Sequence, residues 1–133
     1  MVISAEPRLL QVVRAVVRHY ALETGFGESD ADCLTVAVDE AMANVIRHAY
    51  RSQPQDKIAL EIWSYPDRIE VAIEDRGPKV RPEAIRPRPL DEVRPGGLGS
   101  LFIKCFTDSS AYDETFTNGN RLKLVKYLRN SEP

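Results

Sequence analysis

Four side chains with chemistry to offer recur at helical spacing in the stretch Val36–Tyr50, VAVDEAMANVIRHAY. At about 100° per residue, Glu40, Asn44, Arg47 and His48 fall within roughly one third of a helix circumference. They present a carboxylate, a carboxamide, a guanidinium and an imidazole in one row, the groups from which proton transfer and polar-ligand binding are made. Leu34, Val38, Met42, Val45 and Ala49 fall on the opposite side as an apolar stripe. A merely solvated face carries Lys, Glu and Gln, which cost little helix propensity. Asn competes with the backbone for hydrogen bonds, so Asn44 in a helix interior needs a reason.

Two further features carry chemistry. Asp75-Arg76-Gly77 follows a run in which Ile69, Val71 and Ile73 alternate with polar or small residues. Counting by twos, Asp75 shares the apolar face of that strand, where a carboxylate is costly unless hydrogen-bonded. A turn-forming Asp is the bland alternative. Gly96-Gly97-Leu98-Gly99 opens into Leu101, Phe102, Ile103, Cys105 and Phe106, a short helix. Amides at a helix start carry partial positive charge, and glycines there admit a close anion such as phosphate. The loop is not a P-loop, because GxxxxGK[ST] is absent, and it does not follow a strand as in a dinucleotide fold.

The elements that must hold these groups can be traced along the chain. Residues 1–4 suit an edge strand. Pro7 suits a first helical turn, and apolar residues recur at helical spacing to about residue 24, where Gly25 and Gly27 stop the helix. Ser29 with Asp32 has the form of a capping box, so the second helix is expected from near Asp30 to about Arg51, before Gln53-Pro54. Ile58–Trp63 and Ile69–Glu74 read as an antiparallel hairpin around Tyr65-Pro66-Asp67. Trp63 and Tyr65 are expected on its open face with Glu61. Residues 78–97 hold five prolines and four arginines and show no periodicity, the mark of a functional or mobile loop. Ser110–Thr115 and Arg121–Leu128 form a second hairpin around Asn118-Gly119-Asn120, with Leu122 and Leu124 inward.

At 133 residues the chain is expected to be a single domain, 1–133, with 43% hydrophobic and 29% charged residues. A net charge of -2 and a pI near 5.7 argue against nucleic-acid binding. No apolar run is long enough for a membrane span and no basic-then-apolar leader is present, so a cytoplasmic protein is expected. Cys33 and Cys105 are read as buried structural thiols in a reducing compartment.

The order Glu40-Ala41-x-x-Asn44-x-x-x-His48-Ala49-Tyr50, then Asp75-x-Gly77-Pro78, then Gly96-Gly97-x-Gly99, resembles the GHKL ATPase superfamily of gyrase, chaperone, histidine kinase and mismatch-repair ATPases. Within it, the chain is similar to bacterial anti-sigma factor serine/threonine kinases of the partner-switching type. Gly119-Asn120-x-Leu122-x-Leu124-x-Lys126 fits the family's last strand. The resemblance implies a two-layer α/β sandwich, with a mixed, mostly antiparallel sheet covered on one face by helices. It implies Mg-ATP as the bound cofactor. Asn44 matches the Mg²⁺ ligand, Glu40 the general base that accepts a serine proton, and Asp75 the acceptor for the adenine amino group. Gly77 lets the chain turn beside the base. Gly96, Gly97 and Gly99 would close on the triphosphate, and His48 is motif-matched, with helix packing as its alternative. Arg47 would reach the triphosphate or form a surface pair. Lys79 stands where the family has a second glycine. The implied partners are a sigma factor and an anti-sigma factor antagonist that is the phosphorylation substrate, and a homodimer is left open. The alternatives are a non-enzymatic ATP-binding partner-switch module, a histidine kinase fragment, and a domain without nucleotide.

Overall fold

Alternation of apolar and polar residues folds, in the computed structural model of the protein, into one five-stranded sheet. Residues 1–49, 56–78 and 97–129 are described, without the side chains of 48–49 and 97–100. The strands are β1 (Val2–Ser4), β2 (Lys57–Ser64), β3 (Arg68–Asp75), β4 (Ser109–Tyr112) and β5 (Asn120–Tyr127). Their order is β1-β2-β3-β5-β4, and every pairing among these strands is antiparallel rather than mixed. Ile58 and Leu60, then Ile69, Val71 and Ile73, then Leu122 and Leu124 point to one buried face. Each contributes about 1.5–3 kcal/mol by leaving water. Asp75, Asn120 and Lys126 share that face by the same count of two.

Three helices cover it: α1 (Leu10–Thr24), α2 (Glu28–Asn44) and α3 (Gly97–Phe106), with α3 packed against α2. A 3₁₀ turn at Pro7–Leu9 leads into α1, which buries Leu10, Val13, Val17 and Ala21. Gly25 ends α1 at φ 120°, its amide bonded to the carbonyls of Ala21 and Leu22. The second helix starts earlier than the capping box suggests. Gly27 is its N-cap, with no side-chain cap bond, and Ser29 lies inside the first turn. Glu28 and Asp30 supply negative charge at that end, which favours the helix dipole without a hydroxyl cap.

The same helix does not continue as α to Arg51. Val45–Ala49 form a π turn, and residues 50–55 lie outside the described ones. A π turn is wider than an α turn and rotates the side chains that follow it. Ile46 is buried with Leu34, Val38 and Met42, and Val45 is half-buried against the same core. The cysteines also differ from expectation. Both are free thiols; Cys33 is half-buried and Cys105 is exposed.

The helix-free face of the sheet is a lattice of paired charges. Glu70 accepts from Arg68 at 2.7 Å and pairs with Lys123 at 2.9 Å, which holds its carboxyl below the usual range. Arg121 bridges Glu61 and Glu74 and lies 5.7 Å from the Trp63 ring. Arg68 lies 4.0 Å over Tyr65. Trp63 thus sits on the Glu61 face, as the alternation implies, and both aromatics are covered by guanidinium groups. Among the described residues, no helix is long and apolar enough to cross a membrane.

Candidate nucleotide site

Asp75 ends β3 on the core face of the sheet and is only 4% exposed. A carboxylate there would cost several kcal/mol without partners. Its Oδ1 accepts the Gly77 amide at 2.8 Å and the Asn120 Nδ2 at 3.0 Å. Asn120 is the register partner of Asp75 across β3 and β5, and is 2% exposed. Its Nδ2 also donates to the Pro78 carbonyl at 2.8 Å. One buried amide therefore ties the carboxylate to the turn that follows it. Burial pushes the Tyr112 phenol above its ordinary value, and the negative charge of Asp75 adds to that shift. These contacts orient the Asp75 carboxyl, a group whose oxygens accept hydrogen bonds.

The turn before Asn120 explains why the strands approach so closely. Gly119 has φ 115°, and a Cβ built on it would lie 1.9 Å from the Asp75 carbonyl oxygen and 2.7 Å from the Arg76 Cα. Only a residue without a side chain fits. The sequence marks Gly119-Asn120 as a turn and a strand start; it does not reveal that both act on Asp75.

Glu40 and Asn44 lie one turn apart on α2, both half-buried. Among the described residues, no side-chain hydrogen bond or ion pair involves Glu40. Arg47 donates from Nη2 to the Asn44 Oδ1 at 2.6 Å, and among the described residues it has no acidic partner. His48 lies in the π turn, and its side chain is outside the described residues. Gly97 and Gly99 form the first turn of α3, whereas Gly96 and the loop 79–95 fall outside the described residues. The packing of α3 on α2 places the glycine helix beside the helix that carries Glu40 and Asn44. The first turn of α3 supplies outward amides for an anion.

Asn44 offers a neutral, hard oxygen, and among the described residues no group of three or more His, Cys, Asp or Glu could hold a metal ion. That donor set fits Mg²⁺, which keeps several waters and shares substrate phosphates. A surface pocket of about 300 Å³ between Met1, Tyr20 and Trp63 contains none of these residues.

Comparison with known proteins agrees with this arrangement. Residues 3–126 match the family described as histidine kinase-like ATPase domain. The chain is 29% identical to a "Serine-protein kinase RsbW" from Oceanobacillus iheyensis, over 99% of this chain and 87% of that relative. It is 26% identical to the protein of that name from Bacillus velezensis, over 96% and 84%. A crystal structure of the RsbU and RsbW domains of a Mycobacterium tuberculosis protein shares the fold at TM-score 0.64 and 16% identity, with 95% of this chain matched to 30% of that one. The histidine kinase domain of the Erythrobacter litoralis EL346 blue-light activated kinase follows at TM-score 0.53, 16% identity, 90% of this chain and 59% of the other. With the three helices and the motif residues inside the matched span, the chain belongs to the histidine kinase-like ATPase domain family.

Proposed function

We propose that this protein is a Mg-ATP-dependent serine/threonine protein kinase that also acts as an anti-sigma factor, phosphorylating a serine on an antagonist protein. The observation that carries the reading is the buried Asp75, hydrogen-bonded to Gly77 and Asn120 at the end of an otherwise apolar strand face. Relatives named serine-protein kinase over nearly the whole chain support the class of reaction.

In this reading Asp75 accepts the adenine amino group, and Gly77 lets the chain pass beside the base. The first-turn amides of α3, at Gly97 and Gly99, meet the triphosphate, with Gly96 just before them. Mg²⁺, held by Asn44 with phosphate oxygens, would neutralise charge that builds up during transfer. Glu40 takes the proton from the serine hydroxyl as its oxygen bonds to the γ-phosphorus and ADP leaves. His48 completes the motif. The product phosphoserine carries about -1.5 to -2 charge at pH 7, enough to break a docked surface and release the antagonist. Sigma factor sequestration, a homodimer and a cytoplasmic setting belong to the same proposal.

The test is transfer of labelled γ-phosphate from ATP to a serine of candidate antagonist proteins. Transfer is expected with the cognate antagonist and not with its Ser→Ala form. No transfer to any antagonist that nevertheless binds the protein would favour a non-enzymatic ATP-binding switch.

The Arg47–Asn44 bond yields a separate prediction. A cation taking Asn44 Oδ1 competes with the guanidinium for that oxygen, and an exposed bond of this kind contributes about 0.5–1 kcal/mol. Arg47→Ala is expected to lower the Mg²⁺ midpoint for ATP binding about two- to fivefold, read by titrating Mg²⁺ at fixed ATP. Weaker ATP binding at every Mg²⁺ concentration would instead place Arg47 on the phosphates.

A further inference from the structure

Lys126 is a cation on the wrong side of the sheet. It lies on the core face of β5, opposite the fully buried Ile69, and is 8% exposed. Among the described residues it has no carboxylate partner. Its Nζ donates to the carbonyl of Phe106, the last residue of α3, at 3.1 Å. Burying an ammonium is costly, and Leu or Met would fill the same space without that cost. A helix C-terminus carries the equivalent of about half a negative charge, which makes it a suitable but demanding partner.

The bonds around this joint separate holding the fold from holding the helix. Val125 O accepts the Asp108 amide at 2.8 Å, and the Tyr127 amide donates to Asp108 Oδ2 at 2.7 Å. Those bonds fix the chain just after α3. Lys126 reaches back and fixes α3 itself, beside Thr107, whose hydroxyl donates to the Ile103 carbonyl. A ten-residue helix is about 15 Å long, so an anchor at Phe106 sets where the opposite, glycine-rich end lies.

We propose that Lys126 is a positioning residue for the phosphate-facing end of α3, acting along the helix and touching no nucleotide. The proposal rests on the reading above that Gly97 and Gly99 meet the triphosphate. Without Lys126 the bonds at Asp108 keep the fold, while α3 gains freedom along its axis. Binding that uses the α3 amides then weakens, and binding that uses only the base site does not.

The experiment is calorimetry of ATP and AMP, both with Mg²⁺, on wild type, Lys126→Met and Lys126→Arg. The ratio of ATP to AMP affinity is expected to fall about tenfold in Lys126→Met, with AMP affinity within about twofold of wild type, because misplaced donors lose much of their worth. Lys126→Arg, which keeps a cationic donor, is expected to retain most of the ratio. Thermal unfolding confirms that each variant is folded, and Lys126→Gln carries the test if Lys126→Met is not. ATP and AMP affinities that fall in equal proportion would overturn the proposal and leave Lys126 a stabilising residue only. A wild type that binds ATP no better than AMP would overturn the phosphate reading of α3 and this proposal with it.

Discussion

Glu40→Gln is expected to slow γ-phosphate transfer by about 10²–10⁴-fold while ATP affinity stays within about threefold of wild type. Gln has the size and nearly the helix propensity of Glu, so α2 is undisturbed. Glu40 is half-buried, one turn before Asn44, and among the described residues no side-chain hydrogen bond or ion pair occupies it. A carboxylate held that way is available to accept a proton, and the substitution removes only that capacity. Initial rates with a cognate antagonist, paired with ATP calorimetry, read the two effects separately. A variant that transfers phosphate at the wild-type rate would remove Glu40 from the chemistry. A variant that fails to bind ATP would make it a binding residue.

Gly119→Ala is expected to abolish ATP binding, by at least about 100-fold, and to lower stability. The added Cβ would sit 1.9 Å from the Asp75 carbonyl oxygen, so the end of β3 must move away. That movement separates Asp75 from Asn120 and undoes the bond that orients the carboxylate. The positive φ alone costs a non-glycine residue about 1–3 kcal/mol, a large share of the 5–15 kcal/mol that holds a domain together. Gly25 is the control. It has φ 120°, yet a Cβ there meets only the Leu128 methyls at 3.7 Å. Gly25→Ala should therefore lose stability of similar origin and keep ATP affinity. Melting temperatures and calorimetry on the pair distinguish strain from damage to the site. Equal ATP affinity in the two variants would mean that the Gly119 contact does not position Asp75.

What could be read before the fold was known follows from local periodicity. The alternation through Ile69, Val71 and Ile73 was enough to place Asp75 on the buried face, because a strand has a period of two. Likewise the helical spacing of Glu40 and Asn44 put both on one side of α2. What escaped depends on contacts between distant segments or on competing local choices. Ser29 and Asp32 have the pattern of a cap, but the extended Gly27 is the N-cap and the helix begins two residues early. Ile46 joins the core beside a half-buried Val45, and the π turn at Val45–Ala49 is a departure that spacing for a uniform helix cannot anticipate. Cys105 sits in an apolar run, yet a short helix exposes one side whatever its composition. Asn120 looked like a turn residue because its partner, Asp75, lies 45 positions earlier in the chain. Lys126 follows Leu122 and Leu124 by the same count of two, but its acceptor, the end of a separate helix, is not legible from that alternation.

The central claim is that ATP is held through its base by Asp75. Calorimetry of ATP with Mg²⁺ on wild type and Asp75→Asn, side by side, tests it most directly. The account predicts saturable ATP binding by the wild type and a loss of at least about 100-fold in the variant, since the substitution replaces a charged acceptor by an amide that also donates. Wild-type protein that does not bind ATP, or an Asp75→Asn variant that binds it as well as wild type, would contradict the account.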